Sequence, residues 1–123
     1  MVKIQSFTDL IAWKEAHKLV LMIYTSSNYF PKKEQFGLIS QMQRAAVSIS
    51  SNIAEGFSKT YSKEKQQFYR TALASLTEVQ NQILIARDLQ YLKIDAFDKL
   101  AKQTVQVSKL INGLIKSAQT HNT

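Results

Sequence analysis

Apolar residues recur along this chain at steps of three and four in four separate stretches, with no sustained step of two. Leu10, Trp13, Ala16, Val20 and Ile23 mark the first stretch, and Leu38, Met42, Ala45, Ile49 and Ile53 the second. Tyr69, Ala72, Leu76, Val79, Ile83 and Ala86 step three-four-three-four along the third. Phe97, Leu100, Thr104, Val107, Ile111, Leu114 and Ala118 do the same along the fourth. A mean step of about 3.5 residues is the seam of helices crossing near +20°. The pattern predicts helices over 8–28, 33–55, 63–89 and 96–118.

The residues between the stretches fit helix ends. Ser6 with Asp9 forms a candidate capping box, and Thr8 is an alternative cap. Phe30-Pro31 ends the first helix, because a residue before proline is pushed out of the helical region. Gly56 suits the C′ position of the second, and Ser62 the N-cap of the third. The fourth is expected to start after Asp95, and the polar tail from Gln119 to Thr123 to fray. Connections this short favour antiparallel neighbours. The expected fold class is all-α: one domain over 1–123, an antiparallel up-down-up-down four-helix bundle.

Two features exceed what a single bundle core requires. The third stretch adds Phe68, Leu73, Leu84, Ile85 and Leu89 to its seam, and the first adds Leu19, Leu21 and Met22. Such extra stripes either widen the core or face another subunit. The second stretch carries a polar flank beside its apolar face: Gln41, Ser48, Asn52 and Glu55, with Arg44 at the outer edge. Ser and Asn compete for backbone hydrogen bonds, so a helix that spends them in its interior is expected to use some for contacts.

That second stretch also carries a resemblance. Phe36-Gly37-Leu38, Gln41, Arg44-Ala45 with Ser48, and Ser51-Asn52-Ile53-Ala54-Glu55-Gly56 resemble the signature of the four-helix-bundle proteins related to the 23S rRNA intervening-sequence protein. Phe7, Leu10 and Trp13 resemble the start of that family, Phe30-Pro31 its first interhelix loop, and Ala74-Ser75-Leu76 with Glu78 its third helix. Ala74 departs from the glycine expected in many relatives, and its methyl would widen a close helix contact. The resemblance covers roughly residues 6 to 115. It implies a ring-shaped homopentamer and an association with rRNA intervening sequences. It also brings in accessory proteins of diversity-generating retroelements, basic barrels that bind a reverse transcriptase and nucleic acid.

Composition narrows the chemistry. The 45% apolar content fits a globular chain, and there is no cysteine for a disulfide, a thiolate metal site or a nucleophile. No apolar run reaches the roughly 20 residues of a membrane span. The first ten residues lack a signal-peptide apolar region, so a cytoplasmic protein with no membrane partner is expected. His17 and His121 have no second ligand at metal spacing, and His17 is expected to make a polar contact between helices. Neither Glu55 nor Glu78 has a histidine three residues on, as a di-iron bundle requires. There is no phosphate-binding glycine loop. The expectation is a non-enzyme with no cofactor and no metal.

Charge leaves two readings open. Sixteen Lys and Arg stand against nine Asp and Glu, a net charge of +7. This is either a solvated surface or an attraction to RNA or DNA. Lys59, Lys63, Lys65 and Arg70 gather around the start of the third helix, with Tyr61 and Tyr69 interleaved. Lys14 and Lys18 are one turn apart on the first. These six are the expected phosphate contacts. Lys99, Lys102, Lys109 and Lys116 lie opposite much of a core seam, where charge is ordinary. Arg44 lies about 16 Å of helical rise from Glu55. Its expected partner is Glu78 or a glutamate of a neighbouring subunit, with Gln41, Ser48, Asn52 and Glu55 completing a structural polar seam; the alternative for Arg44 is a contact to nucleic acid. The expected partners are therefore copies of the chain, then RNA or DNA; the alternative is a protein-interaction bundle, for example beside a reverse transcriptase.

Overall fold

The structure, a computed structural model, describes residues 3–120 of the 123. Four helices make up most of it: α1 (Ile11–Ser27), α2 (Leu38–Ser58), α3 (Ser62–Asp88) and α4 (Ile94–Thr120). There is no strand among the described residues. Each helix packs on its neighbour in sequence, and α1 closes the bundle against α4. Paired contacts give the direction of travel. Ser48 meets Ser75, while Gly56, further along α2, faces Tyr69, which lies earlier on α3. Likewise Ser62 donates to the carbonyl of Ala118, and Gln80 donates to Thr104 at 3.3 Å. Both pairs of helices are therefore antiparallel.

The core is the set of seams the periodicity marks. Every seam residue named for α2 and α3 is buried, as are Leu100, Thr104, Val107, Ile111 and Ala118 of α4. Helix α1 differs. Its fully buried stripe is Ala12, Ala16, Leu19 and Ile23, while Trp13 and Val20 only border the core. Leu19, expected as a surplus residue, is a core residue. Leu21, Leu84, Ile85 and Leu89 do point outwards.

Helix ends depart from expectation at several points. The Ser6–Asp9 capping box forms, but it caps a 3-10 turn, Phe7–Asp9, and α1 begins only at Ile11. The chain after Pro31 also coils into a 3-10 turn, Lys32–Glu34, so α2 begins at Leu38 and not at 33. There the Glu34 carboxylate accepts the Leu38 N–H at 3.3 Å, supplying the cap that Gly37 lacks. At the other end α2 runs on to Ser58. Gly56 is not its C′ residue but a buried contact: a Cβ there would lie 2.5 Å from Tyr69 Cε1. Ser62 is the first residue of α3, not its cap, and its hydroxyl holds α4 instead.

Helix α3 ends in a Schellman arrangement. Tyr91 N–H bonds the Ala86 carbonyl and Gln90 N–H that of Arg87, both at 2.9 Å, with Gln90 at φ 65°. Helix α4 begins at Ile94, with Asp95 inside its first turn, and Gln119 and Thr120 remain helical. His121 and the rest of the tail lie outside the described residues.

Candidate nucleic-acid interface

Exposed lysines gather along α1 and α4. Between α1 and α4, Gln103 donates to the backbone oxygen of Glu15 at 2.9 Å and to its carboxylate at 3.1 Å. That bond sets the register, and Lys18 and Lys99 then line one groove with Leu21, Met22 and Asp95. Lys14 lies one turn before Lys18, and Lys102 follows Lys99 on α4. All four are exposed, with no ion pair among the described residues. Asp95 is the acidic group of the groove, and its carboxylate accepts the Ala96 N–H at 3.0 Å. Lys109 and Lys116 continue along the exposed side of α4. Free ammonium groups a helical turn apart, about 5.4 Å, are a surface suited to a chain of phosphates.

The expected cluster at the start of α3 does not act as a unit. Lys65 turns inwards, and its ammonium donates to the carbonyls of Phe57 at 2.9 Å and Gly56 at 3.3 Å. It thus caps the negative end of α2. Burial lowers its pKa from the ordinary lysine value. Lys59 leans over the Phe68 ring at 5.2 Å and lies 3.9 Å from Glu55. Arg70 donates to Gln66 at 3.0 Å. Lys63 is exposed without such a partner. Tyr61 is exposed, but Tyr69 is only 4% exposed, and burial raises its phenol pKa.

The polar flank of α2 forms in part. Ser48 and Ser75 share a 2.8 Å hydrogen bond, and the Asn52 amide donates to the Ser48 carbonyl at 2.8 Å and hydroxyl at 3.1 Å. Arg44 and Glu78 stand on opposite lips of the groove above that bond, with Gln41. Both are exposed, and they form no ion pair with each other or any described residue. The pairing expected within the chain is absent, and both side chains stay exposed to solvent. Ala74 is exposed as well, so its methyl widens no contact inside the bundle. His17 makes no hydrogen bond to another helix among the described residues. Its ring stacks on Trp13 one turn earlier, centroids 4.7 Å apart.

Sequence reasoning set Lys99 and Lys102 aside as an ordinary solvated face. The missing signal was register: only the antiparallel docking of α4 on α1 brings Lys99 beside Lys18. Among the described residues no helix is long and apolar enough to cross a membrane.

The helix order, the α2 signature and its contacts can be set against known proteins. The profile described as 23S rRNA-intervening sequence protein matches residues 8–113. The chain belongs to that family. A crystal structure from Bacteroides thetaiotaomicron, a protein of unknown function from the S23 ribosomal protein family, shares its fold with a TM-score of 0.77. The match covers 86% of this chain and 99% of that one at 17% identity, so it speaks for the fold alone. Among curated proteins none matches. Within the 23S rRNA-intervening sequence protein family, then, this member lines the α1–α4 groove with exposed lysines and carries its signature residues on α2.

Proposed function

We propose that this protein is a non-enzymatic, self-assembling nucleic-acid-binding protein whose α1–α4 side holds the phosphate backbone. The observation that carries the reading is the gathering along α1 and α4 of exposed lysines that are unpaired among the described residues. Six exposed lysines stand on α1 and α4: Lys14, Lys18, Lys99, Lys102, Lys109 and Lys116. On α2 and α3 the cations Arg44, Lys63, Lys65, Arg70 and Arg87 are nearly balanced by Glu55, Glu64, Glu78 and Asp88, whereas on α1 and α4 the six lysines meet only Glu15, Asp95 and Asp98. An excess of cations on one side suits a polyanion.

Assembly follows from the other half. Arg44, Glu55 and Glu78 give the outer side of α2 and α3 both signs of charge, and Arg44 lacks a partner among the described residues. A neighbouring subunit that pairs these groups is the reading we favour, with the homopentameric ring of the family resemblance as the assembly. The same side favours the second reading, a scaffold for another protein such as a reverse transcriptase.

Binding to a labelled 20-base-pair RNA duplex over a salt series tests the first reading. Log affinity should fall linearly with log salt, by about 0.9 per phosphate neutralised. Replacing Lys14, Lys18, Lys99 and Lys102 by Gln should reduce that slope by up to about 3.6. The same change at Lys59, Lys63 and Arg70 should reduce it less. Absence of duplex binding at low salt would leave the scaffold reading. Sedimentation equilibrium tests assembly: Arg44→Glu should dissociate the oligomer and Arg44→Glu with Glu78→Arg should restore it. A monomeric parent protein would overturn the ring.

A further inference from the structure

One end of the bundle carries an aromatic ring that the fold does not use. Phe36 is 92% exposed, the most exposed large apolar residue of the described chain, on the turn before α2. A phenylalanine so far from the core contributes almost nothing to folding. The backbone beneath it is held firmly. Tyr91 from the α3–α4 connection donates to the Glu34 carboxylate at 2.9 Å, and its ring packs on Phe30 with centroids 5.4 Å apart. Gln43 on α2 donates to Ser27 of α1 at 3.0 Å. The ring is thus presented by a fixed platform.

The surroundings of that ring specify an occupant. Phe36 lines an open groove of about 420 Å³ together with Asn28, Phe30, Lys32, Gln35 and Ile39. Lys32 is the only charged group in the lining. Lys33 is exposed next to it, and the nearby Glu34 is engaged by Tyr91 and by the Leu38 N–H. The side-chain amides of Asn28 and Gln35 have no hydrogen-bond partner among the described residues. A ring face, two free amides and a cation are the complement of a base, its polar edge and its phosphate.

We propose that this groove takes one unpaired nucleotide of single-stranded RNA or DNA, its base stacked on Phe36 and its phosphate on Lys32. The site lies at the end of the bundle, apart from the lysines that line the α1–α4 groove. It rests on the nucleic-acid reading but asks for a base, where that reading asks only for phosphates.

Fluorescence anisotropy with three labelled probes separates the two: a 12-nucleotide oligouridine, an abasic strand of equal length, and a 12-base-pair duplex. Phe36→Ala should weaken oligouridine binding about five- to a hundredfold. Binding of the abasic strand and the duplex should stay within about twofold, and Phe36→Trp should restore the loss. Equal losses on oligouridine and the abasic strand, or no loss at all, would overturn the stacking site. So would a change of sedimentation in Phe36→Ala, which would make the occupant a second copy of the chain. If the parent binds oligouridine through Phe36 but neither duplex nor abasic strand, the backbone reading fails and the nucleotide site stands. If it binds none of the three, both fail.

Discussion

Between α2 and α3 the helices come so close that Gly56 has no room for a methyl group, its place taken by the Tyr69 ring. On α4, Gly113 faces open space, with nothing within 4 Å of an added Cβ. The first side joins by small residues, Gly56 and the Ser48–Ser75 bond, and shows solvent a surface on which cations and carboxylates nearly balance. The second joins through a long side chain, Gln103 on Glu15, and surrounds that joint with lysines. The contrast teaches that one bundle can reserve a close-packed half and a charged half, each fixed by its own residues.

The largest effect should come from Gly56→Ala. Overpacking against a buried ring costs about 1–3 kcal/mol, which outweighs the gain in helix propensity. Chemical denaturation should show a lowered midpoint at an unchanged slope. A midpoint equal to the parent's would mean that α2 and α3 can part freely. Cutting one bond on each side comes next. Ser48→Ala and Gln103→Ala should each cost about 1 kcal/mol, and the two losses should add because the sites share no partner. Strong non-additivity would erase the division into halves.

Gly113→Ala should do the opposite of Gly56→Ala, stabilising by about 0.5–1 kcal/mol, since an exposed helical glycine only loses entropy. A loss instead would place a neighbour on that face and favour α4 as an assembly surface. The smallest effect concerns the junction of the halves, where Tyr91 bonds Glu34. That hydrogen bond, then burial and the carboxylate charge, raise the phenol pKa above its ordinary value. Its contribution is full below the ordinary tyrosine value near pH 10 and is lost as pH rises through the raised one. Tyr91→Phe should flatten the alkaline limb of a pH–stability profile.

The fold was legible because its determinants repeat. A seam such as Tyr69 to Ala86 announces its buried face six times, and no rival period competes. Helix ends were less legible because one residue decides each. Gly56 reads as a stop signal from sequence, since nothing local reveals that Tyr69 will fill the space beside it. Lys65 reads as a surface cation until the end of α2 turns its carbonyls towards it. Arg44 was rightly marked as unusual, but whether a partner reaches it depends on chains outside this one. Most of the candidate site was illegible for a related reason. Lys18 and Lys99 are eighty-one positions apart, and no motif joins them; only docking does.

That docking has a consequence in time. Gln103 and Glu15 are separated by 88 positions, whereas the α1–α2, α2–α3 and α3–α4 seams join helices consecutive in sequence. Long loops close at greater entropic cost, and contacts between distant segments form late. The α1–α4 seam is thus the last to assemble as the chain leaves the ribosome, and native-state hydrogen exchange should find it the first to open. A nascent chain already carries Lys14 and Lys18, but it has no basic groove until α4 arrives. Any affinity that needs both banks of the groove is withheld until α4 has emerged and docked.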